Sequence, residues 1–115
     1  GIAIMLLHPG NILRLYDKSG NTYPAWSDIS VDETIKEFPE LVEVGSNKYW
    51  ILRTALATHV YTVNGNPVTN SLRDKYRLRH DTPLIPAGGS LVKARTISDT
   101  DILLNLETGK FNRIR

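Results

Sequence analysis

Apolar and polar side chains alternate along most of this chain in short runs separated by turn residues. "NILRLYD" puts Ile12, Arg14 and Tyr16 on one side of an extended backbone and Leu13 and Leu15 on the other. "LVEV" turns at Gly45-Ser46-Asn47-Lys48 into "KYWILR", whose Tyr49 and Trp50 point to opposite faces. "HVYTV" reaches Asn64-Gly65, the strongest short hairpin signal, and returns as "NPVT". Pro67 there has no N–H for a ladder, which places it on an edge. "DILLNL" and "KFNRIR" flank Glu107-Thr108-Gly109-Lys110, with Ile102, Leu104 and Leu106 on one face. Further turns are expected at 17–21 and 87–89, where Gly and Asn accept positive φ. Recurrent reversals of this kind predict a β-rich chain.

One stretch reads differently. In "SVDETIKEFP", Ser30 and Glu33 have capping-box spacing, Asp32 and Glu33 suit a helix N-terminus, and Pro39 ends the run. Val31, Ile35 and Phe38 share a helical stripe, so a short helix over about 31–38 is expected to pack on the sheet. "RTALATH" allows a second helical turn, against which Thr54, Thr58 and the following "VYTV" favour strand. The chain carries no internal repeat, heptad or low-complexity tract. The expected fold is α+β and predominantly antiparallel β, a small barrel or sandwich of hairpins with that one helix, in a single domain spanning 1–115.

"SLRDKYRLRH" is the sharpest local feature. As a helix its four cations split into two stripes, Arg73/Arg77 and Lys75/Arg79, with Leu78 stranded between them. As a strand, Arg73, Lys75, Arg77 and Arg79 share one face while Leu72, Tyr76 and Leu78 share the other, and strand is the favoured reading. The row then extends over roughly 20 Å, from a repeat of about 6.6 Å for every second residue. "SLVKARTI" sets Lys93 and Arg95 on one side, and pairing across "DTPLIPAGG" brings them beside Arg77 and Arg79. Like charges opposed on a ladder need solvent, a carboxylate or a bound anion between them. Arg73, Lys75, Arg77, Arg79, Lys93 and Arg95 therefore form an expected anion-binding face, with Tyr76 or Tyr61 as a stacking surface. The competing expectation is a solvated sheet face whose long cationic side chains also discourage aggregation.

Composition refines this only modestly. The 115 residues suit one domain with one core. Net charge is +2, from five Lys/Arg against seven Asp/Glu in residues 1–65 and nine against five in 66–115. That asymmetry favours an anionic partner for the second half without the polybasic arms of a committed nucleic-acid binder. No cysteine is present, which excludes disulfides and thiolate zinc sites. The longest apolar run, Ile2–Leu7, is too short to span a bilayer as a helix, so neither membrane segment nor signal peptide is expected. Gly1 is not an initiator, so the start reads either as processed or, with native translation from Met5, as a remnant over residues 1–4.

Catalytic motifs are not evident. His8, His59 and His80 lack metal-ligand spacing, and neither a nucleophile elbow, a phosphate-binding loop nor a dinucleotide fingerprint appears. Asp99, Asp101 and Glu107 offer carboxylates for a cation, in a spacing that equally suits a polar loop starting a strand. Of Tyr49 and Trp50, one is expected in the core and the other as an interface anchor; Tyr23 and Trp26 are a further aromatic pair. The leading expectation is thus a non-enzymatic binding module without cofactor, engaging an anionic ligand such as nucleic acid, a nucleotide or an acidic protein surface. The alternative is a structural subunit of a homomeric assembly, such as a virion or appendage, joined through edge strands. A nucleotide- or nucleic-acid-processing enzyme comes third.

Overall fold

The computed structural model describes residues 3–114, arranged as ten strands and one 3-10 turn. β1 (Ala3–His8), β2 (Ile12–Asp17) and β3 (Ile29–Ser30) form the first antiparallel sheet, in order β1-β2-β3. β4 (Ile35–Val44), β5 (Asn47–Thr54) and β6 (Thr58–Thr62) form the second. The third contains β7 (Ile85–Pro86), β8 (Leu91–Arg95), β9 (Asp101–Asn105) and β10 (Phe111–Arg113), in order β10-β9-β8-β7. Predominantly antiparallel β is therefore the observed architecture.

The second sheet lies at the centre because both phases of its middle strand are apolar. Tyr49 and Ile51 of β5, with Val60 of β6, join Val92, Ala94, Ile102, Leu104 and Leu106 of the third-sheet side in one core cluster. Leu52 and Tyr61, with Trp50 packed alongside, join Leu13, Ile29 and Val31 of the first-sheet side in another. Successive strand residues face opposite ways, so "YWIL" makes a strand buried on both faces. Tyr49 is the core member of its pair; Trp50 is half-buried and donates its indole N–H to the Val63 carbonyl at 3.2 Å.

The hairpins read from alternation are present. β6 turns at Asn64-Gly65 and returns to a single Tyr61–Pro67 bridge, and β9 returns as β10. At Gly65 (φ 88°) a side chain would collide with the Ser27 carbonyl and the Trp26 ring, so this turn requires glycine for both conformation and space. "RTALATH" is the β5–β6 turn, where the Thr54 hydroxyl accepts the N–H groups of Leu56 and Ala57. Of the residues read as a remnant, 1 and 2 lie outside the described range, while Ala3 and Ile4 pair with Asp17 and Tyr16.

Two local expectations are corrected. The helix over 31–38 does not form: β3 ends at Ser30 and β4 begins at Ile35. A two-turn helix is marginal alone, and the ten-residue strand β4, with its ladder to β5, outcompetes it. Glu33 does not cap Ser30 but accepts long-range hydrogen bonds, and Phe38 is exposed instead of completing the apolar stripe. Pro39 sits where the register shifts between Glu37 and Glu40, a position that needs no ladder N–H.

Nor is 71–80 a continuous strand. Asp74 takes positive φ (51°), a conformation that Asp tolerates, and opens a 3-10 turn over Asp74–Tyr76. Leu72 and Leu78 are both buried in the core on either side of it. Leu78 alone pairs, with Thr58 on one side and Thr96 on the other, and so joins the edge of the second sheet to the end of β8. The turn changes the phase of the segment, and this disperses the cations.

Candidate functional site

Four of the six expected anion-binding cations carry carboxylate partners. Arg77 Nη2 donates to Glu33 Oε2 at 2.6 Å. Arg79 forks onto Asp81 at 2.9 Å through Nε and Nη2, and reaches Asp99 through Nη1 at 2.8 Å. Arg95 Nε donates to Asp101 at 3.1 Å, and Lys93 Nζ lies 3.9 Å from the same carboxylate. These contacts hold the Arg79 and Arg95 guanidinium groups above their ordinary pKa, bring Asp81 down to about 2 through its hydrogen bond from Arg79, and lower Asp101 through its bond from Arg95.

The expected approach of the two basic segments is present at one rung, where the Arg79 N–H donates to the Arg95 carbonyl at 2.9 Å. Carboxylates from 81, 99 and 101 relieve the like charges there. Lys75 Nζ stands 5.4 Å above the ring of Tyr76, which packs against Phe111 with centroids 5.1 Å apart. Arg73 leaves the row and, with Arg77, lines a cleft. Asp99, Asp101 and Glu107 take separate partners, Glu107 receiving the Ser90 hydroxyl. Among the described residues no group of three or more His, Cys, Asp or Glu is arranged to hold a metal ion, and no helix is long and apolar enough to cross a membrane.

The cleft, of about 530 Å³, lies between the β3–β4 connection, β6 and the 67–78 segment. Its hub is Glu33. Oε1 accepts the Thr54 hydroxyl at 2.6 Å and faces His59 Nε2 at 3.0 Å, while Oε2 accepts Arg77. Burial of Glu33 opposes ionisation, but hydrogen bonds from His59 and Thr54 and the charges of His59 and Arg77 outweigh it and leave the carboxyl below its ordinary range. His59 and Tyr61 share a face of β6 two residues apart, their rings 6.5 Å between centroids. Sequence reasoning missed this grouping, whose members at 33, 54, 59, 61, 73 and 77 only the tertiary fold collects. The one local sign was two polar rings, His59 and Tyr61, on alternate positions of one short strand.

A second feature is the free edge of β1. Among the described residues it pairs only with β2, and Ile4, Leu6 and Leu7 are 46, 48 and 45% exposed. Met5 packs against the core behind the first sheet. On the outer face, Ile4, Leu6 and His8 stand across from Tyr16, Arg14 and Ile12, with Tyr16 Oη 2.8 Å from His8 Nε2 and Arg14 forked onto Asp28.

Of the other edges, β3 is two residues long and β6 is met by bridges from Thr58 to Leu78 and from Tyr61 to Pro67. β4 carries Lys36, Glu37, Pro39, Glu40 and Glu43 together with two register shifts, β10 is three residues long with Arg113, and β7 is two residues long with Pro86. Charges, prolines, bulges and short strands are the usual defences of an edge, and β1 has none of these over six residues. Comparison with protein-family models, curated proteins and solved structures finds no match to this chain.

Proposed function

We propose that the protein is a non-enzymatic assembly module that joins a second copy of itself through the free edge of β1. The observation carrying this reading is the contrast between edges: β4, β7 and β10 are defended, whereas β1 offers an uncharged, proline-free strand with exposed aliphatic side chains. Unpaired N–H and C=O groups along such an edge accept another strand. An extended polyanion track finds less support, because four of its six cations are engaged by carboxylates.

A second copy suits the edge because "AIMLLH" meets itself without opposing charged side chains. An antiparallel pair about a two-fold axis normal to the sheet keeps each face on its own side, so only residues of one face can oppose. Of the registers that meet this condition, two pair five of the six residues of β1. In one, Met5 opposes its own copy and Ile4 faces Leu6; in the other, Leu6 opposes its own copy and Met5 faces Leu7. A single strand pair is a small interface, so association depends on concentration.

Disulfide trapping tests the reading directly, since the chain contains no cysteine. Met5→Cys or Leu6→Cys should form a covalent dimer on oxidation, because residues opposed across a ladder lie within disulfide reach. Ser46→Cys, in an exposed turn, supplies the collision-limited control. Cross-linking at 5 and 6 no faster than at 46 would overturn the proposal.

A further inference from the structure

The cleft around Glu33 has used most of its own acceptors. Both Glu33 oxygens are engaged, by Thr54, His59 and Arg77, and Asp28 is held by Arg14 through contacts of 2.7 and 3.1 Å. What remains to offer a visitor is chiefly donors. These are the Tyr61 hydroxyl, the N–H groups of Arg77 not spent on Glu33, and the guanidinium of Arg73, which forms no side-chain hydrogen bond or ion pair with another described residue.

Tyr61 is the decisive member. It is only 7% exposed, yet its hydroxyl makes no hydrogen bond to another described residue and its side chain lines the cleft. No buried side-chain polar atom among the described residues lacks a partner, so the Tyr61 hydroxyl opens onto the cleft, where an acceptor can take the place of water. Burial, reinforced by the neighbouring Glu33 charge, pushes the phenol up to about 12. It therefore remains a neutral donor throughout the physiological range.

We propose that this cleft binds a small oxyanion-bearing ligand, a phosphate monoester or a carboxylate, between the guanidinium groups of Arg73 and Arg77 and under the Tyr61 hydroxyl. Guanidinium forks match the planar or tetrahedral oxygens of such groups, and their hydrogen bonds are charge-assisted. The cleft volume falls within the range of small-molecule sites, with room for a ligand of mononucleotide size. Asp32 lies at the rim, exposed and without a cation within ion-pair distance among the described residues. Its charge disfavours a long polyanion and suits a compact ligand that carries hydroxyl donors beside its anionic group.

The test is titration of the protein with inorganic phosphate, adenosine monophosphate and succinate at low salt, followed by amide chemical shifts. At least one probe should give saturable shifts in residues 57–61 and 69–78. A response to the two phosphates alone assigns the phosphoryl class, and a response to succinate alone assigns the carboxylate class. Arg73→Gln should weaken that binding about 10-fold and Tyr61→Phe about 3- to 10-fold, each with the melting temperature retained. Absence of saturable shifts with all three probes would overturn the proposal. So would an affinity unchanged in both variants. Neither substitution touches β1, so the result is independent of self-association.

Discussion

Arg77 Nη2 donates to Glu33 Oε2 over 2.6 Å, between residues 44 apart in the chain, and holds the 3-10 turn segment against the β3–β4 connection. Glu33 is mostly buried and Arg77 is about one-third exposed, so the bond is partly shielded from water. Replacing Glu33 with Gln keeps its shape but removes the charge that Thr54, His59 and Arg77 address. A loss of about 1–3 kcal/mol is expected for hydrogen bonds to a charged group, read as a lower denaturant midpoint with unchanged slope.

The same carboxyl gives the fold an acid limit. Its folded pKa lies below the unfolded value, so its stabilisation is fully present above the unfolded pKa and is lost as pH falls through the folded one. Stability should therefore decline below about pH 4.3, the ordinary glutamate value. Glu33→Gln should flatten that decline, measured as melting temperature against pH. An equal decline in wild type and variant would place the acid sensitivity elsewhere.

Gly65 is the turn position least able to accept a side chain, because the Ser27 carbonyl and the Trp26 ring already occupy the space. Gly65→Ala is expected to cost about 2–3 kcal/mol in equilibrium unfolding, from positive φ and overlap together. Gly20, which also has positive φ but no atom within 4 Å of an added Cβ, should lose clearly less in Gly20→Ala.

The dispersed cations give a gain-of-function prediction. Asp81, Asp99 and Asp101 answer Arg79, Arg95 and Lys93. Combining Asp81→Asn, Asp99→Asn and Asp101→Asn should free those cations and delay elution from a heparin column to clearly higher salt. If the wild type already elutes as late as the triple variant, the carboxylates do not mask the face.

Where a strand is bounded by a tight turn and buries one phase of its residues, the pattern was sufficient to place it. Ile102, Leu104 and Leu106 are buried as their alternation requires, and Asn64-Gly65 turns as its chemistry requires. The pattern misled at 31–38, where Glu33 takes distant partners over a local one, and at 71–80, where Asp74 breaks the strand through its backbone. Glu33 can cap Ser30 or accept three donors from other elements, and the second arrangement accompanies the longer ladder. Asp74 interrupts an otherwise regular alternation, and its positive φ carries Arg73 and Arg77 into the cleft while Arg79 turns to Asp81 and Asp99. The bare edge of β1 was hidden because its exposed aliphatics resemble an ordinary core strand until the sheet order is known.

The central claim, self-assembly through β1, is tested most directly by sedimentation velocity over a concentration series of the wild type and Leu6→Lys. Leu6 is about half exposed, so the lysine should leave the melting curve unchanged while placing a charge on the bare edge. The wild type is expected to shift from monomer toward dimer as concentration rises, and the variant to remain monomeric throughout. A wild type that stays monomeric, or a variant that associates as the wild type does, would contradict the account.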